Sequence, residues 1–203
     1  MRALLLIDLQ NDFMPGGTLA VAHGDQVVGV ANAIMSRFDV VVATQDWHPA
    51  HHTSFASSHL GLEPGDAARV EGVVEMTWPD HCVQNTAGAS FHSNLDVARI
   101  THVVRKGTDR KVDSYSGFWD NGHVSDTGLA EYLSTRGVTG VWIAGLATDY
   151  CVKYTALDAR RLGLPTAVVV DGCRGVDVES GDIDAALDDM RVAGCEMVTS
   201  SEV

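Results

Sequence analysis

The sequence is poor in several features, and each shortage excludes something. Cysteine is scarce: Cys82, Cys151, Cys173 and Cys195 are the only four, and no two form a CxxC pair. That excludes a zinc ribbon and a thioredoxin-type redox motif. Four cysteines cannot staple a chain of 203 residues, which points to a reducing, cytoplasmic setting. Positive charge is also short, with 14 Lys and Arg against 27 Asp and Glu and a net charge of -13. That argues against a phosphate-tracking protein, so no nucleic-acid partner is expected. Long apolar runs are missing. The chain starts apolar only from Ala3 to Ile7 before Asp8 intervenes. This is too short for a signal peptide, and no later segment reaches membrane-spanning length, so no membrane partner is expected either. Repeats, low-complexity tracts and linkers are absent as well, so residues 1–203 read as one domain. With 45% apolar and 20% charged residues the composition is globular.

The apolar runs are short and alternate with helical patterns. Ala3–Ile7 and 39–44 read as strands buried on both faces, Thr101–Arg105, Val141–Ala147 and Pro165–Val170 as further strands, and the tail CEMVTSSEV could add a sixth. Between them, Val27, Ala31, Ile34 and Phe38 follow Asp25 at helical spacing. Leu129 and Leu133 lie between a capping cluster, Ser125 to Thr127, and a stop at Gly137. Val152, Ala156 and Ala159 form a third helix, and Ile183, Leu187 and Met190 a last one that stops at Gly194. Residues 49–99 show no strong periodicity and read as a long irregular excursion, which in a compact domain is usually functional. This pattern predicts an α/β fold, a three-layer α/β/α arrangement around a mostly parallel central sheet.

In such sheets ligands bind beyond the carboxyl ends of the strands. Asp8 ends the first strand, Asp46 and His48 lie just past the second, Lys106 follows the third, and Cys151 lies beyond the fourth. Cys151 falls where a strand turns into a helix, with Thr148 and Asp149 as capping types. A helix start presents free N–H groups and a positive dipole end, both of which favour a thiolate. A cysteine nucleophile needs a base, and no histidine lies near Cys151 in sequence. Asp8 is the best candidate, with Lys106 to steady it or a developing anion, and backbone N–H groups at the helix start to form an oxyanion hole. The chemistry is acyl transfer through a thioester. In DWH, Asp46 and His48 point the same way on an extended segment, and His81 of WPDHC is a third metal-ligand type. Two histidines and a carboxylate suit zinc, iron or manganese.

Five segments in fixed order, IDLQNDFMPGG, QDWHP with His52 and Ser54-Phe55, WPDHCVQNT, RKGTDRKVDSYSGF and GLATDYCV, closely resemble the nicotinamidases, also called pyrazinamidases, of the isochorismatase-like hydrolase superfamily. The resemblance runs from Asp8 to Val152 and implies the isochorismatase-like hydrolase fold. It implies a triad at Asp8, Lys106 and Cys151, and one divalent metal, zinc first and iron or manganese as alternatives, at Asp46, His48 and His81. In the family that metal binds the substrate's ring nitrogen. His52 stays unassigned between fourth ligand and supporting partner. The resemblance further implies an oxyanion hole from the N–H groups of Ala147 and Cys151, a cis peptide at Leu146–Ala147, and an aromatic wall at Phe13, Trp78 and Tyr115.

The expected activity is hydrolysis of nicotinamide to nicotinate and ammonia, with pyrazinamide as a further substrate and NAD salvage as the setting. A homo-oligomer is compatible with this reading. One rival is another cysteine amidohydrolase of the same superfamily acting on a different small amide. Isochorismatases lack the cysteine and carbamoyl-amide hydrolases typically lack the DxH site, so Cys151 and Asp46-Trp47-His48 disfavour each. A non-catalytic binding protein on the same fold is a rival of another class.

Overall fold

The computed structural model describes residues 1–70 and 73–203. Six strands, β1 (Arg2–Ile7), β2 (Val40–Asp46), β5 (His102–Lys106), β6 (Gly140–Leu146), β7 (Thr166–Arg174) and β8 (Glu196–Val198), form one sheet. Their order is β5-β2-β1-β6-β7-β8, and each neighbouring pair is parallel. Strands alternate their side chains between faces, and β1 shows the result. Leu4 and Leu6 join the core under helix α1 (Gly24–Ile34), through Val27, Val28, Ala31 and Ile34. Ala3, Leu5 and Ile7 join the opposite core under α2 (Leu129–Thr135), α3 (Lys153–Arg161) and α4 (Asp182–Val192). Both faces of the sheet are therefore covered, as its unbroken apolar strands require.

Most elements fall where periodicity puts them, and the exceptions have local causes. Phe38 lies past α1, which ends at Ile34 and tightens into a 3-10 turn, yet it remains buried against Trp142. The stretch 49–99 is not wholly irregular. It holds an antiparallel pair, β3 (Ala67–Val70) with β4 (Val73–Met76), and two 3-10 turns. This stretch, rather than a helix, forms the crossover from β2 to β5, and Cys82, Ala89 and Leu95 from it complete the core over α1. β7 runs past Val170 to Arg174, shifting register opposite Ile143 and Gly145. Asp171, inside that strand, accepts the Ser200 N–H and hydroxyl at 2.7 and 2.6 Å, which ties down the C-terminal tail.

The chain runs outward from β1 to β2 and β5, then returns to the other side of β1 as β6. Strand order reverses between β1 and β6, so a crevice opens at their carboxyl ends.

Candidate active site

Asp8 leaves β1 in the left-handed region, with φ 51°. Thr44 on the neighbouring strand grips it twice. The Thr44 hydroxyl donates to Asp8 Oδ1 at 2.5 Å and accepts the Asp8 N–H at 3.1 Å. Asp8 Oδ2 lies 2.9 Å from Lys106 Nζ as an ion pair and otherwise accepts no hydrogen bond among the described residues.

Lys106 is the last residue of β5 rather than the residue after it, and Asp46 the last of β2; the two are in register. Side chains in register on parallel neighbours share a face. The Lys106 ammonium therefore meets the Asp46 carboxylate at Oδ1, and it also donates to the Ser114 carbonyl at 3.0 Å and to Cys151 Sγ at 3.3 Å. Burial alone would neutralise this lysine, but Asp46 and Asp8 outweigh it and hold the ammonium well above an ordinary lysine. Burial also raises the Asp8 carboxyl, offset in part by Lys106 and reinforced by Asp46, so Asp8 is a better base than a surface aspartate.

Cys151 departs from its expected setting in two ways. It lies in a π-helical turn, Thr148–Val152, that precedes α3, and not in the α-helix itself. Asp149 does not cap that helix; its carboxylate accepts the N–H groups of Val176 and Asp177 at 3.0 and 2.7 Å. The expected bias toward a thiolate also meets opposition. Burial pushes the Cys151 thiol well above its usual range, Lys106 opposes this, and Asp8 and Asp46 add to it. Reactive atoms of Asp8, Asp46 and Cys151 lie within 4.8 Å of one another, so a proton has a short way to go. The peptide Leu146–Ala147 is cis, as the resemblance implied.

Asp46, His48 and His81 also converge. Asp46 Oδ2 lies 3.6 Å from Nε2 of each histidine. His48 Nδ1 is bonded to the Gly107 carbonyl at 3.0 Å, and His81 Nδ1 to the Pro79 carbonyl at 2.8 Å. A carbonyl only accepts, so each Nδ1 donates there and each Nε2 is left to face Asp46 Oδ2. Ligands about 2.1 Å from a tetrahedral ion stand about 3.4 Å apart, so the three donors fit a divalent cation. His52 is not in that set. Its Nδ1 pairs with the Ser54 hydroxyl at 2.7 Å, its Nε2 with the Val112 carbonyl at 3.3 Å, and its ring packs 4.3 Å from His48. Burial lowers it to about 4, which leaves it neutral.

Phe13, Trp78 and Tyr115 line one narrow cavity together with Cys151, Ala147, Asp46 and His81. The Trp78 indole N–H donates to the Tyr115 hydroxyl at 3.2 Å, and Tyr150 meets Trp78 edge-on at 4.8 Å. Leu19, Asp113 and Tyr150 also line it and were not singled out in the sequence. Asp113 and Tyr150 lie inside the quoted motifs, so their place in the motif was the available signal. A wider cavity of about 330 Å³ adjoins this one through Tyr115 and Tyr150.

Fold and site together define a parallel α/β protein with a cysteine, a carboxylate and an ammonium at the strand-order reversal, beside three residues that could hold a cation. Comparison narrows the class. Residues 2–202 match the Isochorismatase domain, and the chain belongs to that family. It is 48% identical to the nicotinamidase of Escherichia coli over 205 residues, covering 99% of this chain and 96% of that one. Its fold matches the Acinetobacter baumanii nicotinamidase/pyrazinamidase with a TM-score of 0.96 at 40% identity, covering 99% and 97%. The pyrazinamidase of Pyrococcus horikoshii in complex with zinc matches with a TM-score of 0.79 at 37% identity, covering 98% of each chain.

Proposed function

We propose that the protein hydrolyses nicotinamide to nicotinate and ammonia, through a thioester on Cys151. The observation that carries this is the meeting of Lys106 Nζ with Asp8, Asp46 and Cys151 Sγ, of which Asp46 and Cys151 line one aromatic-walled cavity. The similarity to nicotinamidases over nearly the whole chain supports the substrate. Pyrazinamide, an aromatic amide of the same shape, is a second substrate, and recycling nicotinamide toward NAD is the setting. Residues 1–203 act as one amidohydrolase domain. No helix among the described residues is long and apolar enough to cross a membrane. All four cysteines are unpaired, which supports a reducing cytoplasm.

Asp8 takes the proton of Cys151, and the sulfur attacks the carboxamide carbon. Ala147 and Cys151 N–H groups receive the oxyanion. Lys106 stays charged throughout and keeps Asp8 aligned on the sulfur. The C–N bond breaks as Asp8 returns the proton to the leaving nitrogen, which departs as ammonia. Asp8 then takes a proton from water as its oxygen attacks the thioester, and nicotinate leaves as the thiol reforms. Phe13, Trp78 and Tyr115 enclose the ring. Asp46, His48 and His81 would hold a divalent cation, zinc by the chemistry of the donors and the likeness to the zinc-bound pyrazinamidase. Such a cation would supply a positive centre for the ring nitrogen.

The test is ammonia release from nicotinamide by wild type and Cys151→Ala, each stripped of metal and reloaded with zinc. Wild type should turn over and the variant should fall to background. Parent-rate release by Cys151→Ala would remove the nucleophile from the reading.

A further inference from the structure

We infer that Gln10 is a positioning residue for Asp46: its carboxamide replaces the strand that β1 no longer supplies, and so fixes the aim of both Asp46 oxygens. The inference rests on the cation site proposed above.

Pairing between β1 and β2 runs from Ala3 against Val40 to Leu6 against Ala43. Asp8 then turns away, while β2 continues to Asp46. On its β5 side Asp46 remains tied in, in register with Lys106, and the next N–H, of Trp47, donates to the Lys106 carbonyl at 2.9 Å. On its β1 side no backbone among the described residues meets the Asp46 N–H and C=O, and buried peptide groups demand partners. Gln10 supplies both. Its Oε1 accepts the Asp46 N–H at 2.8 Å, and its Nε2 donates to the Asp46 carbonyl at 2.8 Å. The second Nε2 hydrogen goes to the Ala89 carbonyl at 2.9 Å. The side chain is fully buried, and its carboxamide reproduces the donor–acceptor pair of a peptide group.

The consequence lies in the two oxygens of Asp46. Oδ1 meets Lys106, while Oδ2 sits 3.6 Å from both histidine nitrogens. A pivot of the Asp46 backbone would move both oxygens at once, so one carboxylate can serve the ammonium and the cation only if its backbone is held from both sides. An apolar side chain at position 10 would fill the space and hold neither.

The experiment is a zinc dissociation constant, read by competition with a chromophoric chelator, for wild type, Gln10→Ala, Gln10→Glu and Gln45→Ala. Gln45 is the control: its Nε2 reaches the same Ala89 carbonyl, at 3.2 Å. Gln10→Ala should weaken zinc by roughly 10–100-fold, the usual effect of losing a group that orients a ligand. Gln10→Glu keeps the volume but turns an oxygen toward the Asp46 carbonyl, and should weaken zinc at least as much. It also carries the test if Gln10→Ala does not fold. Gln45→Ala should bind zinc as wild type does. A wild type that binds no zinc would sink the cation site itself. Wild-type zinc affinity in the Gln10 variants, even with a lowered unfolding midpoint, would overturn the positioning role alone.

Discussion

Lys106 sits between two carboxylates with its side chain wholly out of solvent, and this makes it structural as well as chemical. Removing one partner from a buried ionic cluster leaves the others unpaired, which costs about 3–5 kcal/mol. Lys106→Met should therefore lose stability of that order in urea unfolding, besides losing turnover. Much of the loss should return in the double variant with Asp8→Asn, which removes one of the stranded charges; strict additivity in that double-mutant cycle would contradict the coupling. At this scale the sequence was legible for the placing of Asp8, Lys106 and Cys151, because each lies at or just beyond the carboxyl end of a strand run. It was not legible for the Asp46–Lys106 contact, which depends on β2 and β5 pairing in register across residues far apart in the chain. Nor was it legible for Thr44 and Gln10. A threonine in a strand and a glutamine in a loop are ordinary, and only the sheet order aims them at Asp8 and Asp46.

Elements were legible where one apolar run served both faces, as in β1 and β6, and less so where a strand was short or polar. β3 and β4 carry only four residues each, with no clean alternation, so their pairing had no period to announce it. The polar end of β7 is a strand only because Cys173 and Arg174 pair with Gly145 and Leu146. The junction after β5 tests how tightly an element's end fixes the site. Gly107 has φ 62°, and a Cβ there would overlap the His48 ring, whose Nδ1 is bonded to the Gly107 carbonyl. Gly128, before α2, has φ 82° with nothing within 4 Å. Gly128→Ala should cost only the left-handed strain, about 1–2 kcal/mol, and leave zinc affinity alone. Gly107→Ala should cost more and weaken zinc, because the ring must move. Equal zinc affinity in the two variants would show that the β5 end does not set His48.

For the whole molecule, the two cores lie on opposite faces of the sheet, while the polar cluster occupies its carboxyl edge. Nothing in either core depends on a cation, so the chain should fold without one, unlike a zinc finger whose core is its metal site. A cation would still be linked to stability, because the three donors come from segments joined only by the fold: Asp46 and His48 from the end of β2, and His81 from the crossover. At free zinc about 1,000 times the dissociation constant the linkage is about 4.1 kcal/mol. For a chain of this length one kcal/mol moves the melting temperature by about 2–4 °C. Zinc should therefore raise the melting temperature of the stripped protein by roughly 8–16 °C, and a competing chelator should reverse the rise. His48→Ala should fold with a lower melting temperature than the stripped wild type, because it leaves a void beside His52 and the Gly107 carbonyl unpaired, and should show no rise with zinc. A rise that survives in His48→Ala would mean that zinc stabilises the protein somewhere else, and the three residues would lose their claim to it.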